Sequence, residues 1–490
     1  MAVVDHTKWE RAFSSAVGGE AWRPAAREPH DVRSPAGGRS LGTVGVASPG
    51  DVGTAARAAA LAQPPWAEVG TAARAAVFHR AVELLVTEAD AVATWLVREG
   101  GAVAPKAAFE IGLAVDELRA AAALVSQPVG ELLPGEDAGQ QGMARRVPVG
   151  VVGVVTPWNF PLILAMRSVA PALALGNAVV LKPDLKTAVG GGAVVASLFE
   201  EAGLPPGVLH VLPGGADVGE ALVVCDDVGM VSFTGSTRVG HRVGELAGAR
   251  LKRVALELGG NNAFLVLDDA DLDAAVNNGW WGSFVHQGQI CMAVGRHLVH
   301  ESLADEYAKR IAELAGAHVV GDPETPGVTL GPLISVPQAE RVERIVAESV
   351  AAGATRLVGG ERDGSYYPAT VLTGVRPGMP AFDEEIFGPV VAVTAFSDDD
   401  EAVALARETG YGLVAAVHTR SPDRGLRLAG RLGTGMVHVN DQTVDDRAYI
   451  PMGGLGRSGN GSRFGGHWSV DEFTRWQWVT YRSVPVAYPR

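Results

Sequence analysis

From Val147 onward the chain alternates short Val- and Ile-rich runs with stretches of helical period, and this alternation constrains the fold more than any other feature. The runs VPVGVVGVVTP, NAVVLKP, GVLHVLP, GMVSFTG and RVALELGG are separated by PLILAMRSVAPALALG, AVVASLFEEAG and STRVGHRVGELAG. Strands that are apolar throughout must be buried on both faces. Helices between them supply that cover, so the pattern predicts a doubly wound parallel sheet with its ligand crevice at the strand carboxyl ends. A second α/β series begins at Asn262: NAFLVLDD, a helix expected over Trp280–Gln289, then RHLVH, VVAVTAF, LVAAVHT and MVHVN. Ahead of Val147 the chain reads as helical through Thr71–Gly101 and AAFEIGLAVDELRAAAALV, followed by a β excursion in VGELLPGEDAGQQGMARRVP. The end, FTRWQWVTYRSVPVAY, alternates like an exposed strand in need of a partner edge.

Composition narrows the function classes. A net charge of −14 over 490 residues, with no Lys/Arg-rich run, argues against a nucleic-acid partner. The longest apolar runs are broken by Pro and Gly well short of a bilayer span, so no membrane association is expected. The start MAVVDHTKWERAF lacks the basic and apolar regions of a secretory signal. Two cysteines, Cys225 and Cys291, give neither a disulfide framework nor a cysteine zinc site, and no metal is expected. These features together predict a cytoplasmic protein.

Several residues at strand ends could do chemistry. Asn159 in PWNFP follows a strand, where active-site loops gather, although Asn beside Pro is also an ordinary turn residue. Lys182 ends NAVVLKP; its amine could reach a ribose hydroxyl or a phosphate, or simply be solvated. FTGSTRVG joins a strand to a helix N-terminus, which suits an anion but also a plain tight turn. Glu257 in LELGG sits where desolvation would raise a carboxylate toward the range of a general base, with a cap or salt bridge as the alternative. Cys225, inside ALVVCDDVGM, reads as a small buried hydrophobe. Cys291, in FVHQGQICMA, is bracketed by glycine and polar residues and is the candidate nucleophile; a thiol there needs a base. His286, five residues away, does not share its helical face.

The motifs PWNFP, GNAVVLKP, FTGSTRVG, LELGG, GQIC, EEIFGPVV and VN…PMGG…SG occur in one order, with Glu257 and Cys291 34 residues apart. In this the chain resembles the aldehyde dehydrogenase superfamily from about Thr71 to Thr480. KPDLKTAVGGG, VNDQTV, GNGSRFGG and EFTRWQWVT are similar to its benzaldehyde and vanillin dehydrogenase branch. The resemblance implies NAD(P)-dependent oxidation of an aromatic aldehyde to the acid. Cys291 would attack the aldehyde, Asn159 and the Cys291 N–H would hold the oxyanion, and Glu257 would activate water against the resulting thioester. An aliphatic aldehyde or semialdehyde substrate on the same machinery, or a non-catalytic binding protein on this fold, are the competing readings.

The resemblance further implies NAD or NADP, with NAD favoured, held by Thr156, Trp158, Lys182, Gly235, Ser236, Thr237, Gly240, Glu385 and Phe387. Where NAD-preferring relatives often carry a Glu, three residues after the lysine, this chain has Leu185 with Lys186 beside it. No acid is then expected to repel a 2′-phosphate. Phe160, Arg167, Ile290, Met292, Tyr449 and Met452 would form the substrate pocket, with Arg167 either meeting a ring substituent or paired with an Asp near Asp445. The implied architecture is an aldehyde dehydrogenase-like α/β fold: a Rossmann-type cofactor domain (1–125 and 147–256), an α/β catalytic domain (257–470) and a small β oligomerisation arm (126–146 and 471–490). Such arms pair across subunits, so a homodimer or homotetramer is expected.

Overall fold

A computed structural model describes residues 15–18, 21–24, 27–137 and 139–488. Its centre is a parallel five-stranded sheet ordered Arg253–Glu257, Met230–Thr234, Val151–Val155, Ala178–Lys182, Leu209–Val211. Every one of these strands coincides with an apolar run read from the sequence. The chain starts in the middle strand, winds outward to one edge, then returns to build the other side. Strands Val151–Val155 and Met230–Thr234 therefore flank the point where the winding reverses, and a ligand crevice opens outside their carboxyl ends. Helix Pro161–Ala174 is apolar on all sides, and all its residues are buried, as such a sequence requires. Arg167 is the one charged residue in it.

The second sheet has seven strands: Thr355–Val358, Thr370–Thr373, Val390–Phe396, Val294–His300, Asn262–Val266, Val414–His418 and Met436–Val439. All pair in parallel except Thr355–Val358, which runs antiparallel at one edge. A third, antiparallel sheet joins Gly130–Leu133, Gln140–Pro148 and Thr474–Arg482. The terminal strand pairs along its full length, Thr474 opposite Pro148 through Arg482 opposite Gln140, and leaves its other edge open.

Three details differ from the sequence reading. Thr71–Gly101 is two helices, Thr71–Thr87 and Ala89–Gly100, broken at Glu88. Short hairpins, including His30–Arg33 with Ser40–Val44, precede the helical region, and their few residues carry too little periodicity to be seen. The helix expected over Trp280–Gln289 is Leu272–Phe284 and stops before the polar stretch. His286 and Gln287 then adopt left-handed backbone angles, with φ of 49° and 57°, and no regular helix passes through such residues.

Candidate active site

The break in that helix builds the loop carrying Cys291. Gln287 donates its side-chain amide to the carbonyls of Gly101 and Pro332, both at 2.8 Å, and Gln289 Oε1 accepts from the N–H of Ile334 at 2.9 Å. Asn262 donates to the carbonyls of Cys291 and Ala293, each at 2.7 Å. These bonds offset the cost of two non-glycine residues at positive φ and fix the backbone on both sides of the sulfur. Gly260 permits the arrangement: a Cβ there would lie 2.3 Å from the Cys291 carbonyl oxygen. Sequence reading missed Asn262, because an Asn after paired glycines carries no signal of its distant partner.

Asn159 reaches the same loop. Its Nδ2 donates to the carbonyl of Gln289 at 2.8 Å, which uses one amide N–H and leaves the second for another acceptor. Two cavities meet at this place. One is a polar cleft of about 700 Å³ along the carboxyl ends of the first sheet, lined by Trp158, Ser236, Thr237, Glu385 and Phe387 among others. The other is small and apolar, walled by Phe160, Ile163, Ile290, Met292 and Val444, with helix Ala104–Leu124 contributing Phe109 and Leu113. Asn159, Leu164 and Cys291 line both.

Burial dominates the electrostatics. It pushes the Cys291 thiol up to about 12, with Glu385 adding to the effect and Arg167 opposing it, so the resting thiol is protonated. Burial also pushes Glu257 up to about 8, against the charges of Arg167 and Arg463. Among the described residues no ion pair holds the Glu257 carboxyl and only the Gly454 backbone N–H approaches it, and the residue lies outside the lining of either cavity. Glu385 accepts from the Gly260 N–H at 3.0 Å and is pushed up to about 7 by burial.

The cleft suits a dinucleotide. Ser236 caps helix Thr237–Gly248, its Oγ accepting from the Val239 N–H, and the first-turn N–H groups of a helix have no partner within it. Arg238, His241 and Arg457, none of them anticipated, add positive or protonatable groups to the same lining. Trp158 and Phe387 stand edge to face with centroids 5.5 Å apart. Gly235 lines the cleft, but Gly240 does not: a Cβ on it would lie 2.3 Å from the Leu258 side chain, so its smallness serves helix packing. Thr156 and Lys182 also fall outside the lining; the Lys182 ammonium donates to the Pro183 carbonyl at 3.1 Å. Asp184 caps the short Leu185–Thr187 turn and lies 3.8 Å from the Lys186 ammonium.

On the apolar side Arg167 lines the pocket, as the sequence reading placed it, and there it forms a buried ion pair with Asp446, which also lines it, and lies 3.7 Å from Glu117. Met452 backs the pocket from behind, 2 % exposed, its sulfur 3.5 Å from an Arg167 nitrogen. Tyr449 does not join the pocket: it is 63 % exposed, and its hydroxyl accepts from Arg447. It follows Arg447 by two residues in an irregular segment, where no periodicity sets its direction.

A doubly wound sheet whose reversal point opens on an anion-accepting cleft, with a thiol at the cleft's inner end, defines a nucleotide-dependent oxidoreductase of the cysteine type. The chain belongs to the aldehyde dehydrogenase family, whose profile matches residues 22–479. It is 51% identical over 483 residues to the benzaldehyde dehydrogenase [NAD(+)] of Pseudomonas putida, covering 99% of both chains. To the vanillin dehydrogenase of an Amycolatopsis species it is 52% identical over all of both chains. Among solved structures, a salicylaldehyde dehydrogenase from Pseudomonas putida G7 complexed with salicylaldehyde superposes with a TM-score of 0.94 at 34% identity, covering 97% of this chain and 99% of that one.

Proposed function

We propose that this aldehyde dehydrogenase oxidises an aromatic aldehyde, of benzaldehyde or vanillin type, to its carboxylic acid with NAD or NADP. The observation that carries the proposal is the position of Cys291 and Asn159, which line both the polar cleft and an apolar pocket walled by Phe109, Phe160 and Ile290. The names of the relatives in Pseudomonas and Amycolatopsis support the aromatic substrate class.

Cys291 Sγ attacks the aldehyde carbon. Its proton must leave as the bond forms, because burial keeps the free thiol neutral. Glu257, held by no ion pair among the described residues, is the acceptor for that proton. The oxygen gaining negative charge meets the second N–H of the Asn159 amide and the Cys291 backbone N–H; one such donor contributes about 3–4 kcal/mol. Ser236, Thr237 and the helix they open would hold the diphosphate and Glu385 the nicotinamide ribose, and the bound dinucleotide supplies the hydride acceptor. Once the proton taken from the thiol has passed to solvent, Glu257 takes a proton from the water that hydrolyses the acyl group, releasing the acid and leaving Cys291 as the thiolate.

The enzyme works as a homodimer or homotetramer in the cytoplasm. In support, Thr474–Arg482 leaves an open edge on which Trp476, Trp478 and Tyr481 are 50, 72 and 59 % exposed. The domain limits given above also stand as proposals. Steady-state kcat/KM for benzaldehyde, vanillin, hexanal and succinic semialdehyde, each with NAD and NADP, tests the substrate class. Aryl aldehydes should lead. A lead for hexanal or the semialdehyde would overturn the assignment and keep the fold.

A further inference from the structure

Asn159 is held from both ends, and only one end belongs to the site described so far. While its side chain docks on Gln289, its backbone carbonyl accepts a hydrogen bond from the Lys106 ammonium at 2.8 Å. Lys106 is 3 % exposed, on helix Ala104–Leu124, and pairs with Glu110 one turn later at 2.6 Å. Glu110 in turn accepts from the N–H groups of Leu162 and Ile163, at 2.8 and 3.3 Å, in the first turn of the helix that follows Asn159. The Lys106 ammonium also stands 4.0 Å from the centroid of the Phe160 ring. His286 packs edge to face on that ring at 5.5 Å and also faces the Asn159 backbone. The segment from Asn159 to Ile163 is thus clamped by one buried ion pair.

A buried Lys–Glu pair is costly to desolvate, and an apolar pair of similar volume could fill the space. What the ion pair adds here is direction. Three polar groups of the Asn159–Ile163 segment, the Asn159 carbonyl and the Leu162 and Ile163 amides, would find no partner in apolar side chains, whereas one ammonium and one carboxylate reach all three. The same helix presents Phe109 and Leu113 to the apolar pocket, so the element that sets the pocket wall also sets Asn159.

We propose that Lys106, held by Glu110, is a positioning residue for the Asn159 amide: its bond to the Asn159 carbonyl keeps that amide aimed at the reacting oxygen. The proposal rests on the reading of Asn159 as oxyanion donor, and its test separates the two. Lys106→Met alone leaves a buried carboxylate uncompensated, so the variant of choice is Lys106→Met with Glu110→Gln. The glutamine oxygen keeps accepting from Leu162 and Ile163, and what is lost is the bond to Asn159 together with the ammonium's contact with the Phe160 ring.

The measurement is a double-mutant cycle against Asn159→Ala, reading kcat, KM and NADH affinity. The pair of changes should lower kcat by about 10- to 100-fold, the scale of a misplaced catalytic group. NADH affinity should not change. In the Asn159→Ala background the same pair should lower kcat no further, within about 2-fold. Lys106→Gln with Glu110→Gln, which keeps an N–H donor near the carbonyl, should recover part of the loss. If the methionine variant does not fold, this glutamine pair is read in the same cycle. Equal losses in both backgrounds, or no loss beside intact Asn159, would overturn the positioning role. Full activity of Asn159→Ala by itself would instead overturn the oxyanion reading, and the positioning role with it.

Discussion

The polar cleft and the apolar pocket meet at one sulfur but are built in opposite ways. The cleft is anchored on backbone features: the strand end at Thr234, the turn at Leu258 and Gly259, a helix N-terminus capped by Ser236, and a carboxylate, Glu385, fixed by the Gly260 N–H. The pocket is made of side chains brought from four separated stretches, with Phe109 and Leu113, Phe160 and Ile163, Ile290 and Met292, and Val444 and Asp446 as examples. A site built from backbone demands glycines, caps and strand ends at fixed places. One built from side chains can be refitted to another substrate by changing a few of them. The cleft should therefore tolerate no change of architecture, while the pocket should tolerate changes of content.

Mutations can break this division, beginning where the two regions join. Cys291→Ala should abolish aldehyde oxidation, by more than about 10⁴-fold, as loss of a nucleophile does. NADH affinity measured by fluorescence should persist, because the cleft does not depend on the thiol. Arg167→Leu is expected to cost about 3–5 kcal/mol of stability, since it strands Asp446 and Glu117 without their cation. Urea unfolding would show it, and among the soluble fraction the vanillin-to-benzaldehyde ratio of kcat/KM should stay nearly constant. A changed ratio would revive a contact between Arg167 and a ring substituent. Phe109→Ala should lower kcat/KM for benzaldehyde by about 10- to 100-fold more than for acetaldehyde, with NADH affinity untouched. Equal losses for both aldehydes would deny Phe109 its place in the pocket.

The smallest effect concerns pH. Burial pushes Glu99 and Glu257 up to about 8, and Glu117 and Glu385 up to about 7, from an ordinary 4.5. Groups raised in this way bind their protons more tightly when folded. Their contribution is complete below about 4.5 and is lost as pH rises through 7 to 8. The Tm of the enzyme free of dinucleotide should accordingly fall between about pH 6 and pH 9, and a rise over that interval would contradict it. Activity should move the other way, since Glu257 must be ionised to take a proton: kcat should climb as pH passes about 8, and Glu257→Gln should remove that limb.

The contrast also explains what could be read from the chain alone. All five strands of the first sheet and five of the second were legible, because strands buried on both faces are apolar throughout. The strands Thr355–Val358 and Thr370–Thr373 were not, being short and partly polar. Asn159, Ser236, Glu257 and Cys291 stand at junctions that local sequence reveals. Gln287 and Asn262 do not, because their work is done on carbonyls far along the chain. Phe109 and Leu113 share a helical face visible in the sequence, yet nothing local says that this face meets Ile290. Gly240 looked like part of an anion site and turned out to make room for Leu258.

The most direct test of the account is the acyl group it places on Cys291. With benzaldehyde and NAD, the enzyme quenched within its first turnover should carry that group, with NADH appearing as a burst of up to one equivalent per active site, and Glu257→Gln, which lacks the acceptor for the thiol proton, should form it more slowly. Mass spectrometry of the quenched protein should then find a single benzoyl group on the peptide containing Cys291. A burst without an adduct on that peptide, or an adduct at another residue, would contradict the mechanism at its central step.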